Sequence, residues 1–168
     1  MLLWPQTITQ LDANATLIRR ARYGVIESTA GGFRRLRLRV TPTIVTIDSA
    51  RLWGPLIHRL DPRDRCRLYY NQPLGHDRFL ALKYGVSGRG CALETIQSAL
   101  EALEAIAAIK QIDAIVCQVW NARLTERVMN RFGWERHTAD QRGRHYIKRF
   151  YGDYPQSPAL KLFDAADA

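Results

Sequence analysis

Residues 78–119 constrain the fold more than any other stretch. "RFLALKYGVS" carries the alternation of a half-buried strand, and Gly88-Arg89-Gly90 then punctuates it. From Ala92 to Ile109, Leu93, Ile96, Leu100, Leu103, Ile106 and Ala107 recur at helical spacing. "IDAIVCQV" (112–119) follows, nearly continuous in apolar and β-branched residues, as in a strand buried on both faces. Such a strand–helix–strand unit implies a parallel strand pair joined by a right-handed crossover.

Around this unit the chain reads as a series of shorter elements. Residues 7–22 suit a short helix. "RYGVIESTAGGFRRLRLRV" breaks at Ala30-Gly31-Gly32 into two alternating arms and reads as a β-hairpin. In its second arm, strict alternation puts Phe33, Arg35, Arg37 and Arg39 on one face and Arg34, Leu36, Leu38 and Val40 on the other. The cationic face is either a solvated sheet surface or a surface for an anion.

"TPTIVTI" extends the sheet beyond Pro42, and Asp48 or Ser49 caps a helix running to about residue 60. "RCRLYY" is a strand. "NARLTERVMNRF" is a second helix, stopped by Gly133. "WERHTAD" and "HYIKRFYG" form a last hairpin about a turn at "QRGR". The order implies a mixed α/β fold: a mostly antiparallel central sheet, helices on both faces, and one parallel strand pair. Residues 1–152 form a single domain, and 153–168 a loosely attached C-terminal extension.

Composition narrows the partners. The 168 residues carry a formal charge of +9, and 21 of the 25 cationic side chains are arginine. Guanidinium forks suit phosphate and carboxylate, so an anionic partner is expected. Three cysteines without ligand spacing point away from a metal site or disulfide framework and fit a reducing, cytoplasmic setting. No apolar run approaches the roughly 20 residues of a membrane span.

The glycine-flanked arginine sits where a strand feeds a helix. The first amides of a helix have no intrahelical partner, and with the helix dipole they attract anions. Gly88 and Gly90 leave the backbone open to close approach. The loop is thus either a tight turn or an anion site. No Lys-Ser or Lys-Thr follows it, and the third glycine of a dinucleotide fingerprint is missing.

"LALKYGVSGRGCALETI" resembles the acyl-CoA-binding motif of the GNAT superfamily of N-acyltransferases, in which a strand, Gln/Arg-x-x-Gly-x-Gly/Ala and a long helix follow one another. Ser87 stands at the Gln/Arg position, Gly90 at the glycine and Ala92 at the last small residue. "IDAIVCQV" resembles the next strand. "NARLTERVMNRFGWERH" resembles the Asn-led helix ending in Gly-Phe, with Gly133-Trp134 here. The resemblance covers residues 78–137.

It implies that Ser87, Gly88, Arg89, Gly90, Cys91 and Ala92 hold the pyrophosphate of an acyl-CoA, and that Leu82 and its neighbours pair with the pantetheine arm. Asn121 joins the cofactor-binding set. The two parallel strands then splay, the thioester lies in the gap, and a backbone N–H near Leu82 polarises its carbonyl. The family's tyrosine acid has no counterpart, because Met129 occupies its position. Tyr146 and Tyr151 are the replacement candidates, and His137 or His145, facing each other across the last hairpin, are candidate bases.

Two functions follow. One is a CoA-dependent N-acyltransferase, most simply carrying acetyl from acetyl-CoA to an amine. The other is a weakened relative acting as a basic nucleic-acid-binding module through Arg34, Arg35, Arg37 and Arg39 with Arg19, Arg20 and Arg22. An acidic protein surface is a further expected partner of such a face. Cys91 begins the long helix, where a thiol pKa can fall, but its place in the motif reads as packing. Glu94 reads as a dipole-facing acid of the first turn.

Overall fold

A computed structural model describes residues 4–44, 63–119, 124–137 and 143–156. Among these residues eight strands form one sheet: β1 (Gln6–Ile8), β2 (Tyr23–Thr29), β3 (Gly32–Arg39), β4 (Arg65–Asn71), β5 (Phe79–Ser87), β6 (Ala114–Val119), β7 (Glu135–His137) and β8 (Arg144–Arg149). Their order is β1-β3-β2-β4-β5-β6-β8-β7. Every pairing is antiparallel except β5 with β6. Among the described residues three α-helices accompany them: α1 (Ala15–Arg20), α2 (Leu93–Lys110) and α3 (Glu126–Arg131).

The strand–helix–strand unit forms where the sequence predicts it. α2 lays Thr95, Ser98, Ala99, Ala102, Leu103 and Ile106 on the sheet at three- and four-residue spacing, all buried. Its alanines keep it close to β2, β3 and β4, and Leu103 and Ile106 each contribute about 1.5–3 kcal/mol by burial. α2 ends at Gln111, which is left-handed at φ 56°, while the Ile112 amide returns to the Ala107 carbonyl at 2.9 Å. Beyond that end the Lys110 ammonium donates to the carbonyls of Ile18, Arg19 and Ala21, 2.8–3.0 Å away. Those carbonyls lie at the C-terminal end of α1, so one lysine ties the two helices together.

The hairpin also forms as predicted, with Ala30 at φ 50° and Gly31 at φ 76° making its turn. Its faces need correction. Glu27 pairs with Arg35 but Ser28 pairs with Phe33, so Arg34 is an extra, bulged residue. The bulge turns Phe33 onto the core, where it packs, and sends Arg34 to the charged face with Arg35. Leu36 and Leu38 are fully buried as expected.

The predicted helix over 7–22 is broken up. Gln6–Ile8 pairs with β3 as an edge strand, Asp12–Asn14 makes one tight turn, and only Ala15–Arg20 is α-helical. Ile8 and Ile18 reach the core from these separate elements. Residues 41–44 are irregular instead of extending the sheet. Residues 45–47 and the helix expected to end near 60 lie outside the described residues. At the other end Tyr154 donates to the Ile112 carbonyl at 2.9 Å and its ring lies 5.2 Å from Phe150, so the chain stays attached beyond Asp153. Among the described residues no helix is long and apolar enough to cross a membrane.

Candidate active site

The parallel pair is short. Phe79 to Leu82 align with Ala114 to Cys117, and there the pairing stops. Both strands continue: β5 runs to Ser87 with β4 as its strand partner, and β6 runs to Val119 with β8 as its strand partner. A second bulge coincides with the parting, since Tyr70 aligns with Leu82 and Tyr69 with Tyr84, leaving Lys83 extra. From Lys83 to Val86 one edge of β5 therefore faces a gap. Any unpaired backbone group along it needs a partner from outside the sheet.

The gap leads into the glycine loop. Gly88 is buried, and its amide donates to the Arg65 carbonyl at 2.9 Å. The Cys91 amide closes a turn on the Gly88 carbonyl at 3.1 Å. The Ala92 amide donates to Asp64 Oδ1 at 2.9 Å. Arg89 and Gly90 are exposed, and their amides have no acceptor among the described residues. Of the six residues the motif singles out, these two offer free N–H groups, with the Arg89 side chain beside them. Ser87 and Leu82 are half-buried, and Leu82 packs on the core at the point of parting. Asn121 lies outside the described residues.

Asp64 is the residue that sequence reasoning missed. It stands 28 positions before Ala92, at the start of β4, and no local pattern marks it. Its carboxyl is held below the usual carboxylate range by the Thr95 hydroxyl first and the Ala92 amide second. It also lies against Cys91. Burial first, and Asp64's charge second, push that thiol up to about 11, so Cys91 is neutral despite its place at a helix start. Thr95 Oγ1 also accepts the Gly31 amide at 2.8 Å, which pins the hairpin turn to the same helix end. The start of α2 is thus braced by a protein carboxylate on one side and leaves the loop amides open on the other.

Register fixes where the candidate acid and bases sit. Leu82, Cys117, Tyr146 and Arg136 form one row across β5, β6, β8 and β7 at the level where the pair parts. Tyr146 points to the helix side, fully buried, and its hydroxyl has no hydrogen-bond partner. In the next row Gln118 aligns with His145, and His145 with His137, on the opposite face. The two histidines do face each other across the last hairpin, as the sequence suggests. Tyr151 is removed from the candidates: it lies past the end of β8, with its amide on the Asp113 carbonyl at the far end of β6. Met129 is buried in the core.

Cys117 is another neutral thiol, pushed up to about 12 by burial, so nothing in this row is a ready nucleophile. Among the described residues no group of three or more His, Cys, Asp or Glu could hold a metal. The arrangement is suited to holding an extended, anionic substrate by backbone groups and to moving protons at its far end.

No protein-family model matches the chain, and no curated protein matches it. The crystal structure of a nourseothricin acetyltransferase is similar to it at 15% identity, covering 86% of this chain and 98% of that one, with a TM-score of 0.36.

Proposed function

We propose that the protein transfers an acyl group, most simply acetyl, from a coenzyme A thioester to an amine. The observation that carries this reading is the early end of the β5–β6 pairing: an open strand edge from Lys83 to Val86 leads towards the free amides of Arg89 and Gly90. An arm bearing amides in series, ending in a pyrophosphate, complements that sequence of groups. The arm would pair with β5, and the pyrophosphate would lie on the Arg89 and Gly90 amides near the dipole of α2. Asp64 sets a limit, because its charge already occupies part of the helix start.

In this reading the thioester carbonyl sits beyond Leu82 in the gap, polarised by a backbone N–H of β5. The amine attacks it, the carbon–nitrogen bond forms and the carbon–sulfur bond breaks. Tyr146, on the helix side of the same row, is the group assigned to protonate the thiolate. His145, on the other face beside Gln118, is assigned to take the proton from the amine.

Calorimetric titration with acetyl-CoA tests the reading. Saturable binding at one site per chain is expected, with affinity lowered about tenfold or more by Arg89→Glu. No heat at millimolar acetyl-CoA, with the protein shown folded, would end it.

A further inference from the structure

The sheet face opposite α2 carries a second, unassigned surface. Register arranges it in three rows across β3, β2, β4 and β5: Arg39, Tyr23, Asn71 and Ala81; Arg37, Val25, Tyr69 and Tyr84; Arg35, Glu27, Arg67 and Val86. The two bulges add Arg34 and Lys83 to the same face. Six cationic side chains therefore share this face with one carboxylate.

That carboxylate organises one end of the surface. Glu27 is 1% exposed, with Arg35, Arg67 and Arg34 at 3.1, 3.5 and 3.8 Å. Burial would raise its pKa, but the Arg35 hydrogen bond and the surrounding guanidinium charges outweigh that and keep it below the ordinary range. One anion cannot neutralise three guanidinium groups, and the next row is not neutralised at all. Arg37 is exposed and makes no hydrogen bond or ion pair among the described residues, and Arg39 bonds only to the Thr43 hydroxyl. Arg37, Arg39 and Tyr69 line a cleft of about 670 Å3 whose floor is the buried Val25. The Tyr69 and Tyr84 rings lie side by side, 6.1 Å apart.

We infer that this face binds single-stranded nucleic acid, with bases on the Tyr69 and Tyr84 rings and phosphates on Arg37, Arg39 and Lys83. Aromatic rings between arginines on an open sheet are what a flexible polyanion with stackable bases requires. Arg35, Arg37 and Arg39 repeat every two residues, about 6.8 Å apart along the strand, and so can meet successive phosphates. A duplex keeps its bases stacked within itself and cannot use the rings. An acidic peptide would use the arginines but lacks the bases. The inference does not depend on acyl transfer: Arg37, Arg39 and Tyr69 take no part in it, and only Lys83 and Tyr84 also lie on the strand edge assigned to the acyl-CoA arm.

The experiment is fluorescence anisotropy with labelled single strands of RNA and DNA about 12 nucleotides long, repeated between about 50 and 200 mM salt. Expected is binding that weakens steeply with salt. Arg37→Gln with Arg39→Gln should weaken it at least about tenfold, and Tyr69→Leu by about five- to a hundredfold. Arg131→Glu on α3 should change it less than about twofold, and circular dichroism should show each variant folded. Equal affinity for duplex DNA and heparin, with Tyr69→Leu indifferent, would replace the inference with a general polyanion surface. Preference for a poly-glutamate peptide would replace it with an acidic protein partner. No binding at low salt, or an Arg131→Glu loss as large as that of the Arg37 and Arg39 changes, would overturn it outright.

Discussion

The Asp64 carboxylate accepts the backbone N–H of Ala92 at 2.9 Å, so a side chain from the residue just before β4 braces the start of the helix that follows β5. Because Asp64 is held ionised below the usual range, the contact stabilises the fold above the unfolded carboxyl's pKa. That contribution is lost as pH falls through the folded value. Asp64→Asn should therefore lower the melting temperature at neutral pH and flatten its acid limb. The same change removes a negative charge beside the loop amides, so acetyl-CoA should bind more tightly. Thermal melts across pH and one calorimetric titration check both.

Lys148 gives a second pH signature. Its ammonium pairs with Glu104 of α2 and donates to the Phe132 carbonyl at 2.8 Å, joining α2 to the end of α3. Burial raises the Glu104 carboxyl despite the lysine beside it. Such a group costs nothing below its unfolded pKa, where both states are protonated, and its full penalty applies above the folded one. Lys148→Met leaves the carboxylate buried without its partner and should cost about 3–5 kcal/mol at neutral pH, less in acid. Glu104→Leu in the same chain should recover most of the loss. Urea denaturation at two pH values measures both.

The contrast between these two contacts and the long elements shows what the sequence could reveal. α2, the hairpin at Ala30-Gly31 and β6 were legible because each is encoded by its own periodicity or turn residues. The turn from Ser87 to Ala92 was legible from its glycines for the same reason. Asp64 was not, since it meets Ala92 only through strand pairing. The bulge at Arg34 was also invisible, because strict alternation assigns that arginine to the wrong face. β1 was hidden because three residues carry too little pattern, and its partner β3 supplies what stabilises it.

Gly24 faces the ring of Tyr70. A Cβ there would lie 2.6 Å from the tyrosine oxygen and 2.7 Å from two ring carbons, and Tyr70 is fully buried with nowhere to retreat. Gly24→Ala should destabilise by about 1–3 kcal/mol through overpacking. Tyr70→Phe alone should change stability by no more than about 1 kcal/mol, because the hydroxyl it removes has no partner. Pairing Tyr70→Leu with Gly24→Ala should relieve the clash. Denaturant midpoints of the four chains test this.

Tyr146 separates a catalytic role from a packing one. Its hydroxyl is also buried without a partner, so Tyr146→Phe should leave the melting temperature nearly unchanged. As the acid for the departing thiolate, its loss should lower kcat about 10²–10⁴-fold while the KM for acyl-CoA stays constant. An unchanged kcat would make it a core residue only. Steady-state kinetics, once an acceptor amine is found, reads the difference.

The gap between β5 and β6 and the loop beyond it are the proposed seat of a coenzyme A thioester. The most direct test is a titration of the isotope-labelled protein with acetyl-CoA, followed amide by amide in solution. Saturable shifts should appear at Lys83 to Ser87, Arg89, Gly90 and the first turn of α2, with little change on β3. Shifts confined to the arginine face of β2, β3 and β4, or none at millimolar ligand, would contradict it.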